Sequence, residues 1–489
     1  MKSMLYCATI LFVFFVSNVI AQENNAQKFI DTQLKTDSLF TNAIVGICAI
    51  DKGGEIIAQW NPNFPMLTAS TLKTVTTGLG LAYLGEDFRY TTSIAYTGEI
   101  KDSILCGNIH IVGGGDPTLG SRDTVAFKID SIFGIWTNAI KKCGIKKIDG
   151  NIIVDDSYFT REQMPDSWAW SNLGPYFGSA PCGLSFCENT QFFTLKPGRY
   201  VGSQAKIMAT YPHVPGLEII NEVTTAKPKT GDRSAYYVQD MSRISRYLGT
   251  IPIDKDSVTS TNSNRFPHIS CGNCFREYLL ANGIESRSEI LDIKFISAKL
   301  TSAPVFIAQT YSPQLWKIVN VTNRISNNFY AETILKTIGK KMTGVGSYDS
   351  SIVAVNRLLK EFGVNTTGFT MADGSGLSRQ NYVSPKFLCN YYTMMLENNI
   401  FVKFFESLPY PGGAGTLKNV LKKEKQEIKG KIHAKSGSLS NVRCYAGYVT
   451  EGDKGGFIKF AILVNNYSAS TSKLQPKIEK FMLELAKIQ

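Results

Sequence analysis

Histidine is scarce in this chain: four residues among 489, His110, His213, His268 and His433. The pattern Gly-x-Ser-x-Gly does not occur either, so nothing supports a hydrolase of the Ser-His-Asp type, in which an imidazole must sit beside the serine. Charge is modest. Charged residues make up 19% of the chain, and 52 Lys and Arg against 40 Asp and Glu leave a net charge of +12. A basic excess suits a polyanionic partner, but the sequence has no aromatic-basic stripe, no zinc-finger spacing and no Gly-rich phosphate loop, which excludes nucleic acid as the expected partner. Low-complexity tracts are missing, and a hydrophobic fraction of 43% is that of a globular protein. Past the first 21 residues no apolar run reaches the length of a membrane helix. The length predicts two or three domains of about 150 residues each.

What stands at the front is a basic start at Lys2, an apolar run from Leu5 to Val16 and the small-residue ending Ser17 to Ala21. This predicts a secretory signal cleaved after Ala21, and hence an exported, periplasmic protein. Cys7 lies too early in the run for lipidation of a mature N-terminus. Removing it leaves nine cysteines, an odd number, so at least one is unpaired in a monomer. Cys182 and Cys187 are close in sequence, as are Cys271 and Cys274, and the latter pair reads as opening a helix at Phe275. Structural bridges or buried thiols are expected, because no second Cys-x-x-Cys or His pair completes a ligand set. The sequence therefore predicts no metal and no cofactor.

Within Leu67 to Lys73, Ser70 and Lys73 are three residues apart at what reads as a helix start. Helical spacing puts both on one face, so an unprotonated Lys73 can take the proton of Ser70. The free N–H groups of a helix start can meet an oxyanion on a carbonyl that Ser70 attacks. Taken alone, Ser-x-x-Lys is a weak signal.

Two later motifs strengthen it. Ser326-Asn327-Asn328 supplies a Ser-x-Asn, and Lys435-Ser436-Gly437 a Lys-Ser/Thr-Gly. All three motifs in this order form the signature of penicillin-binding proteins and class A β-lactamases. The chemistry divides sensibly. Ser326 can relay a proton toward a leaving amine, Asn328 can hold a substrate amide, and Lys435 can supply a fixed positive charge. On an edge strand, Ser436 and Ser438 offer hydroxyls to a carboxylate, Gly437 leaves room for the substrate, and the Ser438 N–H is the second oxyanion donor. The predicted site is thus catalytic Ser70, Lys73 and Ser326, with substrate bound by Asn328, Lys435, Ser436, Gly437 and Ser438.

On these residues the chain resembles the low-molecular-mass penicillin-binding proteins of the D-alanyl-D-alanine carboxypeptidase/endopeptidase type, the S13 peptidases. The resemblance extends over nearly the whole mature chain, through Gly114 to Leu119, Gly150 to Phe159, Asp373 to Arg379, Gly415 to Lys418 and Ala446 to Val449. It implies as substrates and partners the peptidoglycan stem peptides ending in D-Ala-D-Ala, and as inhibitors the β-lactam antibiotics. Family members often carry an acidic residue near the aromatic pair Trp168 and Trp170, where this chain has Asn172. Lys-Ser-Gly replaces the commoner Lys-Thr-Gly and preserves the hydroxyl.

About 250 residues lie between Lys73 and Ser326, which a fold tolerates because loop-closure entropy grows only logarithmically. The expected fold class is α/β: a penicillin-binding transpeptidase-like (β-lactamase-like) domain with a large, mostly β inserted region between its first and second motifs. The expected organisation is a signal peptide at 1–21, a first transpeptidase-like segment at 22–92, an insert at 93–300 and a second segment at 301–489, resuming with a strand at 303–308. A helix at 27–39, a hairpin at 43–50 and 55–60, and last strands at 442–449 and 457–464 complete the sheet. Ile478, Phe481, Met482 and Leu485 form a helical stripe read as packing on that sheet, although a peripheral membrane or cell-wall association also fits it. His433 and the polar residues Asp373 and Ser375 are read as structural. Two other readings are a serine β-lactamase and a catalytically idle cell-wall binding or scaffold protein.

Overall fold

The structure, a computed structural model, describes residues 25–162, 164–239, 242–296, 302–451 and 455–488. The expected leader lies outside them. A five-stranded antiparallel sheet runs in the order Ile432–Leu439, Val442–Thr450, Phe457–Asn465, Ile44–Ile50, Ile56–Trp60. The hairpin and the last strands fall where sequence alternation and turn residues put them. Phe457–Asn465 is central and buried over eight of its nine residues, because both of its faces are covered. One face carries Asn25–Thr36 and Thr471–Ala486, whose stripe Ile478, Phe481, Met482 and Leu485 is wholly buried against the sheet. The other face carries Pro385–Leu396 and, behind it, the helix Lys73–Leu84. That helix is small and apolar, and its first nine residues are buried, which is what a helix enclosed by other helices requires.

Between the first two motifs the chain builds further sheets. A seven-stranded sheet is covered by the helices Ile129–Lys142 and Pro267–Ala281, and two three-stranded sheets follow, one formed by Glu218–Ala226, Ala235–Tyr237 and Ile244–Pro252. The strand expected at 303–308 is found at Val305–Tyr311, but it belongs here. It pairs antiparallel with Thr91–Lys101 in the seven-stranded sheet. Its residue types suit a strand of either sheet, so only pairing could assign it. The chain rejoins the helices around Lys73–Leu84 at Leu315–Ile325.

Cys271 and Cys274 correct a second expectation. They lie inside the helix Pro267–Ala281 rather than at its opening, because Pro267 starts the helix earlier. All nine cysteines of the described residues are free thiols. The aromatic residues of the stretch 168–186 divide between core and surface. Trp168 and Phe186 are buried, whereas Trp170 and Tyr176 are exposed. Among the described residues no helix is long and apolar enough to cross a membrane.

Candidate active site

Ser70 does not sit in the α-helix. It lies in the single 3-10 turn Ala69–Leu72 that leads into Lys73–Leu84. Ala69 takes a left-handed φ of 45°, which turns the chain sharply just before the serine. Backbone closes on this turn from two sides. A Cβ on Gly376, itself at φ +80°, would come 1.9 Å from the Ala69 carbonyl oxygen. A Cβ on Gly437 would come 2.5 Å from Thr68 O and 3.0 Å from Ser70 N. Only glycine lets both segments approach, and Gly437 thereby brings the edge strand Ile432–Leu439 alongside the serine.

Lys73 Nζ lies 2.9 Å from Ser70 Oγ, 2.7 Å from Asn328 Oδ1 and 2.6 Å from the Ser375 carbonyl oxygen. The last two are pure acceptors. A neutral amine has two N–H donors and one lone pair, so giving both donors to Asn328 and Ser375 leaves the lone pair aimed at Ser70. Lys73 is fully buried, and that burial lowers its pKa from 10.5 to about 7, against the opposing pull of Glu332 and Asp373. Near neutral pH part of the amine is therefore unprotonated and can act as a base.

Glu332 received no role from the sequence. It sits one helical turn after Asn328 on Asn328–Thr343 and accepts from the N–H groups of Gly374 and Ser375, each at 2.8 Å. Burial and the charge of Asp373 raise its pKa to about 8. Burial thus favours the neutral form of both Glu332 and Lys73. Asp373 shapes the same loop as expected, accepting from Gly376 N at 2.7 Å, Asn381 Nδ2 at 2.8 Å and Trp168 Nε1 at 2.8 Å. Together these carboxylates fix the loop that turns the Ser375 carbonyl toward Lys73. The Ser375 hydroxyl is buried and has no partner.

Ser326 closes Leu315–Ile325 in the left-handed conformation, φ 62° and ψ 41°, and Asn327 then caps the next helix by accepting from Tyr330 N at 3.0 Å. A non-glycine residue held there costs about 1–3 kcal/mol. Its Oγ accepts from Lys435 Nζ at 2.9 Å, and Lys435 also donates to Ser436 O at 2.8 Å. Burial, followed by the charges of Lys73 and Arg443, drives the Lys435 pKa well below its ordinary value. Among the described residues no carboxylate lies within ion-pair reach of Lys435.

The three motifs meet through these contacts. Lys73 joins the first to the second through Asn328, Lys435 joins the second to the third through Ser326, and Gly437 joins the third to the first. Asn328 is more engaged than the sequence indicated: while Oδ1 accepts from Lys73, Nδ2 donates to the Phe177 carbonyl at 2.9 Å, leaving one N–H for a substrate carbonyl. Phe177 and Trp168 bring the inserted region into the site, and Glu188 does so as well by accepting from Asn327 Nδ2 at 2.8 Å. Ser436 is nearly buried and Ser438 is exposed on the edge strand. His433 stacks on Phe405, ring centroids 4.2 Å apart, and is structural.

The model of the D-Ala-D-Ala carboxypeptidase 3 (S13) family matches residues 26–487. A D-alanyl-D-alanine carboxypeptidase of Actinomadura sp. is 26% identical over 454 residues, 88% of this chain and 79% of the relative. The D-alanyl-D-alanine carboxypeptidase DacB of Haemophilus influenzae is 25% identical, over 87% of this chain and 85% of its own. The crystal structure of penicillin binding protein 4 from Haemophilus influenzae superimposes with a TM-score of 0.79 at 23% identity, covering 93% of this chain and 97% of that one. A second structure of that protein, complexed with a β-lactam, gives a TM-score of 0.74.

Proposed function

Belonging as it does to the D-Ala-D-Ala carboxypeptidase 3 (S13) family, the chain is a serine peptidase, and we propose that it releases terminal D-Ala from peptidoglycan stem peptides through an acyl-enzyme on Ser70. It is a D-Ala-D-Ala carboxypeptidase that binds β-lactams. The observation that carries the division of labour is the contact set of Lys73: two acceptors take its N–H groups and the third neighbour is Ser70 Oγ.

In this mechanism Lys73, neutral through burial, takes the Ser70 proton as Oγ attacks the penultimate D-Ala carbonyl. The developing oxyanion meets the N–H groups of Ser70 and Ser438, the latter next to Gly437, whose close approach brings its strand up to Ser70 N. Ser326, held by Lys435, hands a proton to the departing D-Ala amine. The carboxylate of that residue lies against Lys435, Ser436 and Ser438, and one N–H of Asn328 holds a substrate carbonyl. Water then hydrolyses the ester. Cleavage of cross-links uses the same steps with a longer leaving group. The leader read at 1–21 supports export to the periplasm, and the net charge of +12 supports association with anionic wall polymers.

Labelled penicillin, applied to the wild type and to Ser70→Ala, tests the reading together with D-Ala release from a pentapeptide. The expected result is a stable adduct and D-Ala release, both lost in the variant. An adduct without D-Ala release would instead identify a scaffold or sensor, and rapid loss of the adduct a β-lactamase.

A further inference from the structure

Away from the acylation site, the insert holds a polar cluster that the mechanism does not use. His268, the second residue of Pro267–Ala281, is 3% exposed. Its Nε2 faces Asp292 Oδ2 at 3.3 Å, and Asp292 is itself held by Arg161, with Nη1 donating to Oδ2 at 2.8 Å. A carboxylate tied to a guanidinium can only accept, so the imidazole proton belongs on Nε2. The other nitrogen, Nδ1, then presents a lone pair inward, and it has no hydrogen-bond partner. Asp156 Oδ2, which lies 3.9 Å from it, is also an acceptor. Two buried acceptors confront each other with no donor between them. Even a proton on Nδ1 would not repair this, because 3.9 Å is too long for a hydrogen bond.

Cys182 completes the group: one ligand atom from each of Asp156, Cys182 and His268 lies within 4.8 Å of the others, and all three residues are buried. We propose that these residues form a site for a zinc-class divalent ion, with Asp156 Oδ2, Cys182 Sγ and His268 Nδ1 as its protein ligands. One carboxylate, one thiolate and one imidazole are the borderline donors that zinc prefers over calcium or magnesium. Tetrahedral bonds of about 2.0–2.3 Å put neighbouring ligand atoms about 3.5 Å apart, so the group, whose atoms lie within 4.8 Å of one another, must close in by up to roughly 1.3 Å on binding. Asp156 and His268 also line a cavity of about 240 Å³, together with Asp292, Arg161, Arg243 and Arg265, which is large enough to admit a water as the fourth ligand.

Asp156, Asp292 and a Cys182 thiolate carry three negative charges, and Arg161, which donates to Asp156 Oδ1 at 2.9 Å, offsets one. Arg243 and Arg265 also line the cavity, and Arg265 is engaged with the carbonyl oxygens of Leu173 and Gly178. Binding forms a metal–sulfur bond and breaks the Cys182 S–H bond, whose proton now points to Leu184 O at 3.1 Å and leaves to solvent. Asn189 Nδ2 and Ser185 Oγ, each 3.9 Å from Sγ, are placed to donate to the resulting thiolate. The ion would staple three segments that are distant in sequence. That is why cysteine spacing alone led to the expectation of no metal.

Cobalt(II) alone, titrated into chelator-treated full-length protein, tests the site. The expected result is one equivalent bound with a thiolate-to-cobalt band in the near ultraviolet and tetrahedral bands in the visible, displaced by zinc. Cys182→Ser removes the thiolate band. His268→Gln weakens binding at least tenfold, and Asp292→Asn does so by about tenfold, while the Cys271→Ser/Cys274→Ser double variant changes nothing. Zinc at a concentration that just saturates the wild type raises its melting temperature by about 2 °C and that of His268→Gln by clearly less. Near-ultraviolet circular dichroism checks that each variant is folded, and His268→Gln carries the test if Cys182→Ser is not. No cobalt bands in folded wild type, bands that survive Cys182→Ser, or bands lost with the Cys271 and Cys274 pair would each overturn the assignment.

Discussion

The site holds two serine–lysine pairs with the same separation, 2.9 Å from Nζ to Oγ in Ser70–Lys73 and again in Ser326–Lys435. Both lysines are fully buried. Their surroundings differ. Lys73 has carboxylates behind it, Glu332 and Asp373, and two acceptors that orient its amine. The ionisable groups nearest Lys435 are basic ones, Lys73 and Arg443. A lysine backed by acids can shuttle a proton to and from its serine near neutrality. A lysine among basic groups gains most from an anion that arrives with the substrate, so the second pair reads the terminal carboxylate while its serine relays the proton.

Removing one lysine at a time separates these roles. Lys73→Ala deletes the base and should slow acylation of Ser70 by penicillin about 10³-fold, within the range of a lost general base, measured on folded protein by rapid-quench labelling. Slowing of less than tenfold would show that the two lysines are interchangeable. Lys435→Ala should act mainly on ligand choice. Wild type should favour a D-Ala-D-Ala peptide with a free carboxylate over its C-terminal amide by about 10- to 150-fold in kcat/KM, the worth of a charge-assisted hydrogen bond of about 1.5–3 kcal/mol. In Lys435→Ala that ratio should fall close to one. An unchanged ratio would place the carboxylate elsewhere.

The contrast between the pairs also marks how far the sequence could be read. Ser70, Lys73, Ser326, Asn328 and Lys435 carry their chemistry in the side chain, and the order of their motifs announces it. The carbonyls of Ser375 and Phe177 that complete the site belong to the backbone, which every residue shares, so no residue type points to them. Glu332 was within reach: it stands four residues after Asn328, the spacing that places two side chains on one helix face. In the fold, the central sheet was legible through its alternation and turns. Strand Val305–Tyr311 was not assigned to its sheet, because pairing across more than 200 residues, Val305 to Tyr96 for example, leaves no local trace.

Glu332 provides the finest test of the difference between the pairs, since it is the acid that Lys73 has and Lys435 lacks. Acylation needs neutral Lys73, so its rate should rise with pH through an apparent pKa near 7. Glu332 pulls that pKa upward. Glu332→Gln therefore moves the rising limb to lower pH, by about 0.5–1 unit for a single buried neighbour. The substitution also turns an amide NH₂ toward one of the two N–H groups of Gly374 and Ser375 and costs about 1–3 kcal/mol of stability. Stability itself should climb with pH between about 7 and 10.5 on account of Lys73, because there the unfolded chain holds a proton that the fold releases. A limb that stays in place while the melting temperature drops would reduce Glu332 to a loop support, and the asymmetry between the pairs would then rest on Asp373 and on the acceptors Asn328 and Ser375.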